Sequence, residues 1–90
     1  MSPEVAPALR RGWRLQWEPA QQRHVLLYPE GMVQLNESAG AILALVDGRR
    51  HEEDIVAELE AQFPGAAEIA DDVAAFLAEA GRQGWLEVGP

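Results

Sequence analysis

The 90-residue chain has no cysteine, which removes disulfides, thiolate nucleophiles and cysteine-based zinc or iron–sulfur sites at once. Histidine is limited to His24 and His51, and serine to Ser2 and Ser38. No segment reaches the roughly 18 consecutive apolar residues that a membrane-spanning helix needs. The start, MSPEVAPALRRGW, lacks a basic stretch followed by an apolar core, so it does not read as a secretory signal, and the expected address is cytoplasmic. Bases are few: seven against fifteen acids, for a net charge of −8. Residues 1–49 are balanced, with five acids and five arginines. Beyond residue 49, ten acids face only Arg50 and Arg82. Such a field repels phosphate backbones and favours basic partners, or else simply solvates the surface.

What is present is an apolar fraction of 48%, enough for one globular domain with a modest core. The stretch HVLLYPEGMVQLNESAGAIL, His24–Leu43, carries the most information. His24–Tyr28 and Met32–Leu35 are short apolar runs around the turn triplet Pro29-Glu30-Gly31, which predicts two antiparallel strands. Asn36 then stands at a helix N-cap, with Glu37 in a first turn favoured by the helix dipole. Upstream, Trp13-Arg14-Leu15-Gln16-Trp17 alternates, placing Trp13, Leu15 and Trp17 on one face of a further strand. Glu18–Gln22 connects it to the next. Residues 1–9, with Pro3 and Pro7, are expected to form a flexible arm ahead of a single domain over 10–90.

Three helices are predicted after the strands. Ala39, Ile42, Leu43 and Val46 recur at helical spacing, and Asp47-Gly48 is expected to end that helix. A second runs from about Glu52 to Phe63 with the stripe Ile55, Val56, Leu59 and Phe63, stopped by Pro64-Gly65. A third carries Ile69, Val73, Phe76, Leu77 and Ala80, opens among Glu68, Asp71 and Asp72, and ends at Gly84. Trp85–Val88 is expected to add a short strand. The fold class is therefore α+β and winged-helix-like: a three-stranded antiparallel meander followed by a three-helix bundle.

Enzyme chemistry finds little support. Ser2 lies in the expected arm, Ser38 in a helix first turn, and neither is placed beside an activating base, so no catalytic residue is assigned. His51, Glu52, Glu53 and Asp54 are adjacent, but successive helical residues diverge by about 100 degrees and do not converge on a metal. Gly81 and Gly84 lack the strand–loop–helix context of a phosphate cradle, and no cofactor is expected. A winged-helix DNA-binding regulator is the alternative reading of the fold, yet the third helix sets Arg82 against Glu68, Asp71, Asp72 and Glu79, and nucleic acid is not an expected partner. An edge strand flanked by a helix suits an extended peptide instead.

The same residues resemble the PqqD family of pyrroloquinoline quinone (PQQ) biosynthesis. The matching pieces are Arg11-Gly12-Trp13-Arg14-Leu15, Leu26-Leu27-Tyr28-Pro29-Glu30, Leu35-Asn36, Ala39, Ile42-Leu43, Asp47-Gly48, Ile55 with Leu59, and Asp72-Val73 with Phe76-Leu77. They span about residues 10 to 86. Ala80, Val46 and His51 depart from that pattern, where leucine, cysteine and a threonine-like cap are usual. The resemblance implies a non-catalytic peptide chaperone, a recognition element for a ribosomally made, modified peptide. It would bind the precursor peptide PqqA by strand addition and present it to the radical S-adenosylmethionine (SAM) enzyme PqqE. The peptide-binding residues so implied are Met32, Val33, Gln34 and Leu35 on the third strand, and Val73, Phe76, Leu77 and Ala80 on the third helix. Asp71 and Asp72 are the expected contact with PqqE. A monomer and a strand-exchanged homodimer are both compatible with the free edge.

Overall fold

Alternation and turn chemistry decide the first half of the chain. The computed structural model of the protein describes residues 6–87. Strand β1 (Ala8–Leu9) precedes β2 (Arg14–Glu18), β3 (Arg23–Tyr28) and β4 (Gly31–Gln34), and the last three form an antiparallel sheet in the order β2-β3-β4. The register pairs Leu15 with Leu26 and Leu26 with Val33, so one row of aliphatic side chains crosses the sheet on the face that the helices cover. Trp13 stacks on Tyr28 at a centroid distance of 4.7 Å and closes the turn end of that face. Trp17 shares that face with Trp13 and Leu15, as the alternation predicts, but is 51% exposed. It lies on the edge strand β2, where its ring and that of His24 meet edge to face at a centroid distance of 5.0 Å.

Helix α1 (Glu37–Leu43) begins where Asn36 predicts: the Asn36 side-chain oxygen accepts the Ala39 N–H at 2.8 Å. It ends earlier than the Asp47-Gly48 signal suggests. After Leu43 the chain tightens into turns, with Leu45 and Val46 donating to the Ile42 and Leu43 carbonyls, and both side chains remain buried. Asp47 is occupied with the next segment: its Oδ1 accepts the Arg49 and Arg50 N–H groups, each at 2.8 Å. Those bonds, chiefly from Arg50 and then Arg49, hold the Asp47 carboxyl below its usual range.

Helix α2 (Glu52–Gln62) has His51 at its N-cap, where the Asp54 carboxylate accepts the His51 N–H at 3.0 Å. Helix α3 (Ile69–Arg82) closes as Gly84 implies. Gly84 is left-handed at φ 80°, its N–H donates to Gly81, and the Trp85 N–H donates to the Ala80 carbonyl, the paired bonds of a Schellman motif. Leu26, Leu43, Ile55, Val73 and Leu77 are among the buried residues of one apolar cluster joining sheet and helices. Each such aliphatic side chain contributes about 1.5–3 kcal/mol.

The expected arm is partly structured. Strand β1 pairs antiparallel with β5 (Leu86–Glu87), setting Leu9 opposite Leu86. Pro7 is buried and its carbonyl accepts the Gly48 N–H at 3.0 Å. Sequence composition near Pro7 suggested disorder because the pairing partner lies almost eighty residues away. Residues 1–5 of that arm, and Val88 of the expected last strand, lie outside the described residues.

Candidate peptide-binding edge

A strand edge is useful to a partner only if its polar groups point outward. The Leu35 N–H donates to the His24 carbonyl at 3.3 Å, which makes His24/Leu35 a hydrogen-bonded pair. Antiparallel pairs alternate, so Leu26/Val33 and Tyr28/Gly31 are of the same kind. The N–H and C=O groups of Met32 and Gln34 therefore point away from β3. Among the described residues β4 has no second strand neighbour. Two residues, and up to four backbone hydrogen bonds, are thus presented along the edge.

Side chains divide by the same alternation. Met32 is 56% exposed and Gln34 is exposed, while Val33 is half-buried against the core and Leu35 is buried. On α3, Phe76 is half-buried and meets the Trp85 ring edge-on at 6.4 Å. Val73, Leu77 and Ala80 are buried. Those three side chains and Leu35 belong to the one buried apolar cluster, against which Val33 and Phe76 pack while staying partly exposed. Asp71 and Asp72 are exposed on the first turn of α3.

A cleft that the strand and helix patterns did not indicate opens just past the end of β4. It has a volume of about 460 Å³, and its walls include Glu37 and Ala41 of α1, Phe63 and Ile69 around the α2–α3 connection, and Asp72 of α3. Phe63 was expected in the core stripe of α2. As the helix C-cap it has φ −127° and ψ 67°, which swings it off the helical face and leaves it 43% exposed. An aromatic residue immediately before Pro64-Gly65 was the available signal, since a residue preceding proline is pushed out of helical geometry.

Charge is one-sided here. The two bases beyond residue 49 are both paired with acids: Arg50 with Asp47 at 3.0 Å and Arg82 with Glu79 at 2.6 Å. The Arg82 side-chain hydrogen bond, aided by Gln83, lowers the Glu79 carboxyl below its ordinary range. Among the described residues no three His, Asp or Glu side chains gather as metal ligands.

The family model described as "Coenzyme PQQ synthesis protein D (PqqD)" matches residues 23–86. The chain belongs to the PqqD family. A relative from Kluyvera intermedia, named PqqA binding protein, is 55% identical over 87 residues, covering 97% of this chain and 95% of the relative. A second of that name, from Pseudomonas aeruginosa strain UCBPP-PA14, is 58% identical over 85 residues, covering 94% and 92%. The solution NMR structure of the PqqD truncation of Methylobacterium extorquens PqqCD superposes with a TM-score of 0.77 at 36% identity, covering 96% of this chain and 93% of that one. It is described as a functional, stand-alone recognition element for ribosomally synthesized and post-translationally modified peptides. The PqqD fold thus agrees with the α+β order read from the sequence.

Proposed function

We propose that this protein is a non-catalytic peptide chaperone of PQQ biosynthesis: it binds the precursor peptide PqqA by strand addition on β4 and presents it to the radical SAM enzyme PqqE. The observation that carries the reading is the outward-facing backbone of Met32 and Gln34 on an uncovered edge, in a family whose relatives are named for binding PqqA. Backbone pairing supplies affinity, and Val33 with Phe76 supplies an apolar strip for alternate side chains of the added strand. Leu35, Val73, Leu77 and Ala80 support that strip from beneath. Asp71, on the exposed turn of α3, is left as the contact for PqqE, while Asp72 turns into the cleft wall.

A proline tests strand addition directly. Gln34→Pro deletes an N–H that β3 does not use, so folding is retained while PqqA binding falls at least tenfold, measured by calorimetric titration of synthetic PqqA. Undiminished binding by a folded Gln34→Pro protein would remove β4 as the docking edge. Labelled protein titrated with PqqA should shift the Met32–Leu35 and Phe76 amides. Charge reversal at Asp71 that left the ternary complex with PqqE unchanged would dismiss that contact.

A further inference from the structure

We propose that the cleft beyond β4 is an anchor site for a large apolar side chain of the precursor peptide, one that lies next to a lysine or arginine. The inference rests on the strand-addition reading and extends it past the paired residues. Its first support is continuity. Glu37, in the cleft wall, is three residues from Gln34, the last residue whose backbone points outward, a reach of about 10 Å or roughly three residues of extended chain. A peptide paired with Met32 and Gln34 that continues past the end of β4 therefore arrives at the cleft within a few residues.

The lining decides which side chain it takes. Ala41, Ile42, Phe63 and Ile69 make an apolar pocket whose small residue, Ala41, leaves the space open, and Phe63 exposes an aromatic surface that the protein's own core does not cover. The volume of about 460 Å³ falls in the range of roughly 300–1,000 Å³ seen for ligand clefts. Charge decides the neighbour. The cleft walls contain two carboxylates, Glu37 and Asp72, and no base, and both acids are exposed. A peptide cation beside the apolar anchor meets complementary charge there, whereas an acidic flank is repelled. Specificity for one peptide over others of equal strand propensity then comes from this pair together with the Val33–Phe76 strip, since the backbone groups of the edge read no side chain.

Calorimetric titration of the full chain with synthetic PqqA tests the site. Ala41→Phe should fill the pocket and weaken binding at least tenfold. Ala67→Phe, at an exposed position of the same wall, gives a second filling variant should the first not fold. The double change Glu37→Gln and Asp72→Asn should weaken binding several-fold at low salt and by less at 0.5 M salt. PqqA with every Lys and Arg replaced by Gln should lose affinity for the wild-type protein but not for that double variant. The anchor is overturned if the filled and neutralised variants bind as wild type and the Phe63 and Ile69 amides stay unshifted at saturation, even though Gln34→Pro abolishes binding. That pattern leaves strand addition standing. Failure of the wild-type protein to bind PqqA at all would overturn both.

Discussion

Gly40 shows how closely α1 sits on the sheet. A Cβ at this position would lie 2.7 Å from Nδ1 and 3.1 Å from Cβ of His24, so the side chain that glycine omits is the space the imidazole occupies. Gly40→Ala gains up to about 1 kcal/mol of helix propensity and loses about 1–3 kcal/mol to overpacking, a net destabilisation visible in urea unfolding. In a His24→Ala background the penalty should shrink, which a double-mutant cycle measures. Asn36→Ala removes the cap on Ala39 and should cost about 1 kcal/mol by the same assay. Asp47 sets an acid limit. Its carboxyl is held below its ordinary value of 3.8, so its contribution is fully present above that value and is lost as pH falls through the depressed folded pKa. Asp47→Asn should therefore be less stable than wild type at neutral pH, with the difference closing below about pH 4. Equal stability at pH 7 would show that the Arg49 and Arg50 bonds contribute nothing.

At the scale of elements, β4 is short, and its two kinds of residue separate folding from binding. Val33 donates and accepts within the Leu26 pair, so Val33→Pro should unzip β4 and lower overall stability, while Gln34→Pro should not. Circular dichroism melts of the two variants check that contrast before any peptide is added. Helix α3 contributes differently along its length. Its Val73–Leu77–Ala80 side is core, and Ile69, Asp72 and Phe76 lie toward the surface. Truncating Phe76 to alanine should weaken peptide binding with a modest stability loss. Leu77→Ala should instead cost about 2–5 kcal/mol, largely through folding. The single base of α3, Arg82, is engaged by Glu79, which leaves the helix without a free cation for a phosphate backbone.

For the whole molecule, the β1–β5 ribbon joins the two ends of the chain. Arg10 N–H donates to the Trp85 carbonyl at 2.9 Å, Leu9 sits opposite Leu86, and Trp85 in turn meets Phe76. Leu9→Ala should destabilise the fold by about 1–2 kcal/mol, lowering the thermal midpoint by about 5–10 °C in a scanning melt. A variant melting with wild type would show that the ribbon does not carry the core. No helix among the described residues is long and apolar enough to cross a membrane.

Local signals alone determined the order of strands and helices from β2 onward. The Pro29-Glu30-Gly31 turn, the Asn36 cap and the Gly84 stop each act through backbone geometry within a few residues, so they survive without knowledge of the rest of the chain. Apolar spacing likewise identified Ile55, Leu59, Val73 and Leu77 as facing a core. Tertiary structure decided what that spacing cannot encode: which apolar side chains remain uncovered. Leu35 and Ala80 sink into the core, whereas Met32, Trp17 and Phe63 lie at a sheet edge or at a helix end and stay exposed. It also paired Ala8–Leu9 with Leu86–Glu87, since a strand two residues long has no periodicity and gains stability only from a partner at the other end of the chain.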